Sequence, residues 1–248
     1  MSGHSKWATI KHKKGAADKA RGKLFAKLAR QIEVSAKGGG DIDANPTLRT
    51  AVQKAKAARM TNDAIDRAIK RGTGEVGGDS YESIMYEGYA PGGVALMIDV
   101  LTDNRNRTGA EIRGVFTKLG GSMAEPGAVS WQFARRGVIV TGEGVDEDTV
   151  MTAALEAGAD DVVDEGAAFR VVTDPSVVFD VKAALDDAGV EVISADAPLV
   201  SDNLVPVTDS GDARSVLRVI EALEDNDDVQ DVFSNFDMAD DVLEAAAS

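Results

Sequence analysis

The sequence has no cysteine, few aromatic residues and no long apolar run. Without cysteine, the 248-residue chain cannot form disulfides, thiolate metal sites or cysteine nucleophiles, which fits a reducing compartment. Aromatic residues make up 5% of the chain and hydrophobic residues 44%, so its cores must be mainly aliphatic. The longest apolar run, Val94–Ile98, is far shorter than the roughly 18 residues of a membrane span. We therefore expect a soluble, cytoplasmic protein of two or three domains that does not bind a membrane.

Histidine is almost as scarce, which bears on catalysis. His4 and His12 both lie near the N-terminus, so neither a folded Ser-His-Asp triad nor a histidine metal site is expected. A G-x-G-x-x-G match at 72–77 lies between a predicted helix and a predicted strand. Because a dinucleotide loop must follow a strand and open a helix, we interpret these glycines as a linker. The sequence therefore predicts no enzyme: no catalytic residue, no metal ion, no cofactor and no small-molecule substrate.

Positive charge is confined to one end of an acidic chain. The formal net charge is -15, yet residues 1–71 carry 17 Lys+Arg and only 6 Asp+Glu. Residues 72–248 carry the other 10 cations and 36 acids. Such a division indicates one end that faces nucleic acid and another that is solubilising and repels it. The sequence thus predicts nucleic acid as the partner, either ribosomal RNA or duplex DNA.

Residues 1–17 show neither helical nor strand periodicity, so we expect a flexible basic arm. The arm offers four lysines, a histidine and a tryptophan as candidate nucleic-acid contacts: Lys6, Trp7, Lys11, His12, Lys13 and Lys14. The lysines would supply charge, and Trp7 would stack on a base or ribose. Trp7 would equally well pin the arm to the helices behind it, and both roles remain open.

Three short helices are predicted over residues 18–72. Asp18 caps the first, Asn45 with Pro46 opens the second, and Asn62 caps the third. The first helix has an apolar side formed by Leu24, Phe25, Leu28 and Ile32. On the opposite side, four cations lie within an arc of about 80° and form what we call the cationic ridge: Lys19, Lys23, Lys27 and Arg30. We expect the ridge to be exposed and to follow a phosphate backbone.

A second group of polar residues lies where a predicted strand meets a predicted helix. Asn104, Arg105 and Arg107 occupy the first turn of this helix and form a candidate secondary contact. A helix N-terminus with arginines suits a phosphate or a carboxylate. The alternative, which we favour, is that Asn104 caps the helix while the arginines pair with the acidic body.

The rest of the chain alternates between strands and helices. Strands are predicted at 83–89, 93–101 and 129–133, with a helix from Asn104 to the Gly120-Gly121 pair. Residues 138–195 then follow the order βαββαβ, which is that of a ferredoxin-like fold. A further strand, a helix and the strand 229–233 cannot belong to this completed unit. We infer that they return to the preceding domain.

The predicted fold class is therefore multidomain α+β. An N-terminal three-helix domain is followed by two ferredoxin-like α+β domains, the third inserted in the second. The boundaries are 1–17 for the basic arm, 18–72 for the helical nucleic-acid-binding domain, 79–134 plus 203–238 for the middle domain, 135–202 for the inserted domain and 239–248 for an acidic tail.

Several motifs resemble those of the YebC/PmpR family over essentially the whole chain. They are Gly3–Lys14, Ile65–Gly74, Tyr86–Tyr89 with Pro91–Gly93, Leu101–Thr108, and Val129–Trp131 with Phe133. The resemblance implies a helical domain and two α+β domains. It also implies a role as a DNA-binding transcriptional regulator, or as a translation factor acting on ribosomes stalled at proline-rich stretches. The family commonly has Met-Pro-Lys where this chain has Met60-Thr61-Asn62, so one cation is lost at that turn.

Physical chemistry favours the ribosome over a sequence-reading DNA regulator. Reading DNA sequence requires side chains placed on base edges, whereas the N-terminal region offers mostly Lys and Ala, which suit phosphates. A basic arm and an acidic body facing away fit a factor that recognises RNA shape and backbone. Since the family signature begins at residue 3, we expect no cleavable presequence and a bacterial cytoplasmic protein.

Overall fold

The computed structural model describes residues 17–77 and 80–247, and the side chains of residues 21–239 and 241–246 within these ranges. Its N-terminal region contains three helices: α1 (Ala17–Ala36), α2 (Pro46–Ala57) and α3 (Asn62–Gly72). Aliphatic side chains from all three pack into one core, in which Ile32, Leu48 and Ala68 are fully buried. Asn45 caps α2 as predicted, because its Oδ1 accepts a hydrogen bond from the Leu48 amide at 3.1 Å.

Three details of the predicted helices are wrong. Leu24 was assigned to the apolar side of α1, yet 45% of its surface is exposed, since the core of this region is centred one turn further along, on Leu28 and Ile32. Thr61, not Asn62, occupies the cap position of α3, and its side chain makes no capping hydrogen bond. Helix α1 also begins at Ala17, so Asp18 lies within it.

A four-stranded antiparallel sheet unites segments from the middle and the end of the chain. It contains β1 (Glu82–Tyr89), β2 (Ala95–Thr102) and β3 (Ser122–Ala124), joined by β11 (Val229–Ser234), in the order β11-β2-β1-β3. Two helices, α4 (Arg105–Leu119) and α7 (Ser210–Glu224), cover one face of this sheet. The buried side chains of β2 alternate between this helical core and a smaller core on the other face.

A second four-stranded antiparallel sheet is formed by consecutive elements. These are β5 (Gly137–Thr141), α5 (Glu147–Glu156), β6 (Asp161–Asp164), β7 (Phe169–Thr173), α6 (Val178–Asp187) and β8 (Val192–Asp196). Its strand order is β6-β7-β5-β8, and both helices contribute to a separate aliphatic core. The prediction of a mixed α+β, multidomain chain is confirmed by these elements.

Two predictions for the remaining segments are wrong. The predicted strand 129–133 is instead a 3-10 turn (Ser130–Gln132) followed by β4 (Phe133–Arg135), which pairs with β9 (Leu199–Ser201). The predicted acidic tail contains helix α8 (Asp240–Ala247), because Leu243 is fully buried against the helical core of the first sheet. The last paired strands are β10 (Val205–Pro206) and β12 (Phe236–Asp237). Among the described residues, no helix has the length and apolarity needed to cross a membrane.

Candidate nucleic-acid interface

The cationic ridge on α1 lies against an acidic turn that connects α7 to β11. We call residues 224–228 the acidic turn, because it reads Glu-Asp-Asn-Asp-Asp. Lys23 donates to the carbonyl oxygen of Asp225 and lies 3.4 Å from its Oδ1. Lys27 Nζ donates to the carbonyl oxygen of Glu224 at 2.9 Å. Both lysines therefore contact the beginning of the acidic turn, where α7 ends.

Arg30 makes the most connected contact of the ridge. Its Nη1 donates to the carbonyl oxygen of Asp227 at 2.5 Å and lies 3.1 Å from Oδ1 of Asp228. The guanidinium also lies over the ring of Tyr81, 5.3 Å from its centroid. Arg30 thus contacts both the far end of the acidic turn and the segment that leads into β1.

Two physical causes favour this contact. The last carbonyl groups of α7 have no partner within the helix and carry the negative end of its dipole, so they attract cations. The acidic side chains that follow add full negative charges, and Lys23 lies 3.4 Å from Asp225 and 3.6 Å from Asp227. The acidic turn therefore presents to the ridge the same kind of oxygen atoms that a phosphate backbone would present.

The expectation of an exposed ridge is wrong for the side chains that the structure describes. The exposed fraction is 32% for the Lys23 side chain and 22% for that of Arg30, and Lys27 is also half-buried. The helical period of α1 places these cations opposite its apolar side, as predicted. That period carries no information about a turn some 200 residues away in the sequence. The side chain of Lys19 lies outside the described residues.

Asp228 fixes the acidic turn to the body of the protein. Its carboxylate is buried and accepts hydrogen bonds from Thr108 Oγ1 at 2.6 Å, Arg107 Nη2 at 2.6 Å and Thr102 Oγ1 at 3.1 Å. Burial by itself would raise the pKa of Asp228, but these hydrogen bonds outweigh it and leave the pKa below the ordinary value. Asp228 is therefore a charged hub that joins α1, β2, α4 and β11, and sequence reasoning missed it.

The candidate secondary contact follows the alternative that we favoured. Asn104 Oδ1 caps α4 by accepting from the Arg107 amide at 3.1 Å. Arg107 pairs with Asp103 at 2.8 Å and with Asp228 at 2.6 Å, and these carboxylates raise its pKa. Arg105 is exposed. Two of the three side chains therefore serve the fold, and the secondary contact with nucleic acid stays a prediction.

Other cations of the helical region remain exposed, and sequence reasoning did not select them. Among the cations of the described helical residues 17–72, four are exposed with side chains that make neither a hydrogen bond nor an ion pair: Arg21, Lys56, Arg59 and Lys70. Their exposure follows from their positions off the buried faces of α1, α2 and α3. The candidates of the arm, Lys6, Trp7, Lys11, His12, Lys13 and Lys14, lie outside the described residues.

Lys54 makes a second charged contact between the helical region and the rest of the chain. Its Nζ lies 2.7 Å from Oδ1 of Asp196, at the end of β8. Burial would lower the pKa of Lys54, but the carboxylates of Asp196 and Asp231 raise it overall. Asp231 is the cross-strand partner of Asp99, and burial together with this like charge raises the pKa of Asp99. Lys54 thus places a positive charge near three carboxylates, those of Asp99 and Asp231 in the first sheet and that of Asp196 in the second.

Two protein-family models match the chain, one over the region of the three N-terminal helices and one over the region of the two sheets. The TACO1/YebC protein N-terminal domain matches residues 5–75, and the TACO1/YebC second and third domain matches residues 81–236. The chain belongs to the TACO1/YebC family. The YebC resemblance stated from the sequence motifs is therefore confirmed.

Relatives in this family are similar over nearly their full length. A protein of Beutenbergia cavernae is 56% identical, and one of Geobacter sulfurreducens is 53% identical, each over 98% of this chain and at least 98% of the relative. Both carry the name probable transcriptional regulatory protein. A solved structure, that of a conserved hypothetical protein from Aquifex aeolicus, is 43% identical. It has a TM-score of 0.79 and covers 90% of this chain and 93% of its own.

Two of the motifs by which the chain resembles its TACO1/YebC relatives meet in space. Glu87 is buried, and its carboxylate accepts hydrogen bonds from the amides of Gly127, Val129 and Ser130 at 2.7–3.0 Å. Burial alone would raise the pKa of Glu87, but these amide donors lower it overall. The loop held in this way presents Trp131, which is 72% exposed, although its ring nitrogen donates to the Ala128 carbonyl.

The described residues offer no grouping for a metal ion. Across 17–77 and 80–247, no three His, Cys, Asp or Glu side chains come together in a geometry that could hold one. The carboxylates of Asp228 and Asp196 are paired with Arg or Lys. The described cluster around Asp228 is thus a hydrogen-bonded ion-pair network, with arginine as its cation.

Proposed function

We propose that this TACO1/YebC-family chain is a cytoplasmic, non-enzymatic regulator of gene expression that binds nucleic acid through its basic N-terminal region. The observation that carries the proposal is the division of charge, with 17 of 27 cations in residues 1–71. Phosphate contacts dominate the affinity of proteins for nucleic acids and require such a concentration of Lys and Arg. The names of the relatives, probable transcriptional regulatory protein, support a regulatory role.

The proposed domain arrangement supports this division of labour. We infer that residues 18–72 form a helical domain and that residues 135–202 form a ferredoxin-like domain inserted into a middle domain of 79–134 plus 203–238. The pairing of β11 with β2 supports the insertion, since it joins the two parts of the middle domain. The helical residues have a core of their own, so they form a compact basic unit next to an acidic body.

We propose that the arm and the helical domain contact phosphates. The candidate residues are those predicted from the sequence: Lys6, Trp7, Lys11, His12, Lys13, Lys14, Lys19, Lys23, Lys27 and Arg30. The exposed cations Lys56, Arg59 and Lys70 extend this set on α2 and α3. The basic region is rich in groups that bind phosphate and poor in groups that read base edges, which favours recognition of backbone and shape.

Between two nucleic-acid partners, we favour the ribosome. The chain would act as a ribosome-associated translation factor that eases stalls at proline-rich stretches, as the family resemblance implies. The alternative is a DNA-binding transcriptional regulator, which the names of the relatives favour. A regulator that reads DNA sequence needs direct base contacts, whereas a ribosome-binding factor needs backbone contacts alone.

The test neutralises the arm in the full-length chain. Lys6, Lys11, Lys13 and Lys14 are replaced together by Gln, and binding to ribosomes is measured by co-sedimentation and to duplex DNA by fluorescence anisotropy. A matched control removes four exposed cations from the acidic part instead: Arg113, Lys118, Arg214 and Arg218. Salt titrations accompany both variants, because each lost phosphate contact should reduce the slope of log K against log salt by about 0.7–0.9.

We expect the arm variant to lose affinity and salt dependence, while the control retains both. Loss on ribosomes alone supports the translation factor, and loss on duplex DNA alone supports the transcriptional regulator. The proposal fails if the wild-type chain binds neither partner, or if the arm variant and the control behave alike.

A further inference from the structure

We propose that the acidic turn is an intramolecular competitor for the cationic ridge, which a nucleic-acid backbone must displace before the ridge can bind phosphates. The proposal rests on the function proposed above, because it concerns the regulation of the same basic region. It assigns two forms to the chain: a closed form, in which α1 contacts residues 224–228, and an open form, in which the ridge is free.

The oxygens of the acidic turn occupy the positions where phosphate oxygens would bind. Lys23, Lys27 and Arg30 each donate to a backbone carbonyl of the turn, and both Lys23 and Arg30 also lie near a carboxylate. The turn takes up N–H donors of all three cations, and it places the carboxylates of Asp225 and Asp227 beside Lys23, where they would repel a phosphate. Binding of the ridge therefore requires exchange of one set of oxygens for the other.

The contact has the properties of a releasable one. The side chains of Asp225 and Asp227 are 85% and 79% exposed, so their ion pairs with Lys23 are screened by water and salt and are individually weak. Asp228, in contrast, is buried and bound to Thr102, Arg107 and Thr108. The inner side of the turn thus stays fixed to the body, while release of the ridge breaks the exposed ion pairs of Lys23 and the contact of Arg30 with Asp228.

The packing of the helical region also allows release. Its core consists only of residues from α1, α2, α3 and their connections, so opening leaves this core intact. Apart from the acidic turn, the described polar contacts of the region with the rest of the chain include Lys54 with Asp196 and Lys37 with the Tyr81 carbonyl. The segment 73–77 that leaves α3 contains two glycines and is mostly exposed. Opening therefore breaks polar contacts rather than a shared apolar core.

The test compares two variants that change net charge equally. The release variant, Asp225→Asn with Asp227→Asn, removes both exposed carboxylates of the turn and leaves Asp228 in place. The control variant, Asp160→Asn with Asp161→Asn, removes two exposed carboxylates at the start of β6, in the other sheet. Binding of an RNA hairpin and of a DNA duplex of equal length is measured across a salt titration.

The release variant should bind both probes about three- to tenfold more tightly than the wild type, because weaker ion pairs raise the population of the open form. Its salt slope should also be steeper, since binding no longer frees carboxylates that take up cations. The control variant should match the wild type in both respects. Equal gains in the two variants would overturn the proposal, because they would show a general effect of net charge.

A distance measurement follows opening independently of binding. Since the chain has no cysteine, spin labels attach only at the two exposed positions changed by Ala26→Cys on α1 and Glu221→Cys on α7. We expect one narrow distance in the wild-type background, and a broader, longer distribution in the release variant or after addition of the RNA hairpin. If the distance distribution changes neither in the release variant nor after addition of the RNA hairpin, the proposal that the acidic turn competes for the ridge is overturned. Opening of the release variant without RNA binding by any variant would instead overturn the proposed function together with the inhibition.

Discussion

Among the residues that the structure describes, Arg59 is the one non-glycine residue with a positive φ. Its replacement by glycine should stabilise the helical region. Its φ is 62°, in the left-handed region. It follows the last turn of α2 in a Schellman motif, in which the Arg59 amide donates to the Lys56 carbonyl and the Met60 amide to the Ala55 carbonyl, both at 2.9 Å. Glycine is the residue favoured at this position, because any Cβ is strained there.

The magnitude follows from two opposing contributions. Relief of left-handed strain favours Arg59→Gly by about 1–2 kcal/mol, whereas the greater freedom of glycine in the unfolded chain costs about 0.5–1 kcal/mol. The exposed guanidinium makes no described contact that would be lost. We therefore expect a net stabilisation of about 0.5–1 kcal/mol, which should raise the melting temperature of a domain of this size by about 2–8 °C.

The assay is thermal and urea unfolding followed by far-UV circular dichroism, with hydrogen exchange of the α2 amides to assign the transition to this region. Arg59→Ala is the matched control, because it removes the same charge and keeps the Cβ. Alanine should leave stability nearly unchanged while glycine raises it. If glycine lowers stability, or if both variants behave alike, strain at Arg59 does not limit the stability of the helical region.

The same pair of variants bears on binding. Both lose one exposed cation, so each should lower nucleic-acid affinity and reduce the salt slope by about 0.7–0.9 if Arg59 contacts a phosphate. Glycine would then raise stability and lower affinity together, which a purely structural role of Arg59 does not produce. Unchanged affinity in both variants would remove Arg59 from the proposed interface.

Three further predictions concern the body of the protein. Asp228→Asn should lower the free energy of unfolding by about 2–4 kcal/mol, because it removes the charge that Arg30 and Arg107 share. Since the pKa of Asp228 is lowered in the fold, its contribution is present at neutral pH and is lost as the pH falls from the ordinary aspartate range through this lowered pKa. The stability of the variant should therefore depend less on pH in acid than that of the wild type. Glu87→Ala should leave three backbone amides without their partner and increase the mobility of the Trp131 loop. The measurement is the fluorescence anisotropy of Trp131 in a Trp7→Phe background, which should fall. Unchanged anisotropy would show that the loop is held by other contacts. A chain ending at Asp202 should aggregate or lose cooperative unfolding, because β2 loses its partner β11 and α4 loses α7, so a well-behaved truncated protein would contradict the proposed insertion.

Local signals predicted much of the fold. Asn45 with Pro46 located the start of α2, and Gly120, with a φ of 88°, ends α4 at the predicted residue. Short or irregular elements were harder to predict. Strand β3 has only three residues, Ser122–Ala124, and the predicted strand 129–133 is instead a 3-10 turn, held by Glu87, that leads into β4 at Phe133.

The candidate site was less predictable than the fold, because its contacts are not local. The cations of α1 could be placed on one side of a helix, but the acidic turn that covers Lys23, Lys27 and Arg30 arises from a distant segment. Two adjacent aspartates such as Asp227 and Asp228 would both be expected on the solvated surface from the sequence alone. That holds for Asp227, whereas Asp228 is buried among Thr102, Arg107 and Thr108.

The pairing of β11 with β2 has a consequence for synthesis of the chain. Val229 lies opposite Val100, so β2 cannot pair with β11 until residues 229–234 have left the ribosomal exit tunnel. The helices of residues 17–72 and the sheet of residues 137–196 are complete before then. The acidic turn also emerges late, directly before β11. We therefore expect each new molecule to pass through a stage in which α1 is already helical but its lysines have not yet met the carbonyls of α7. At that stage the apolar side of α4 is not yet covered by α7 and is exposed to aggregation.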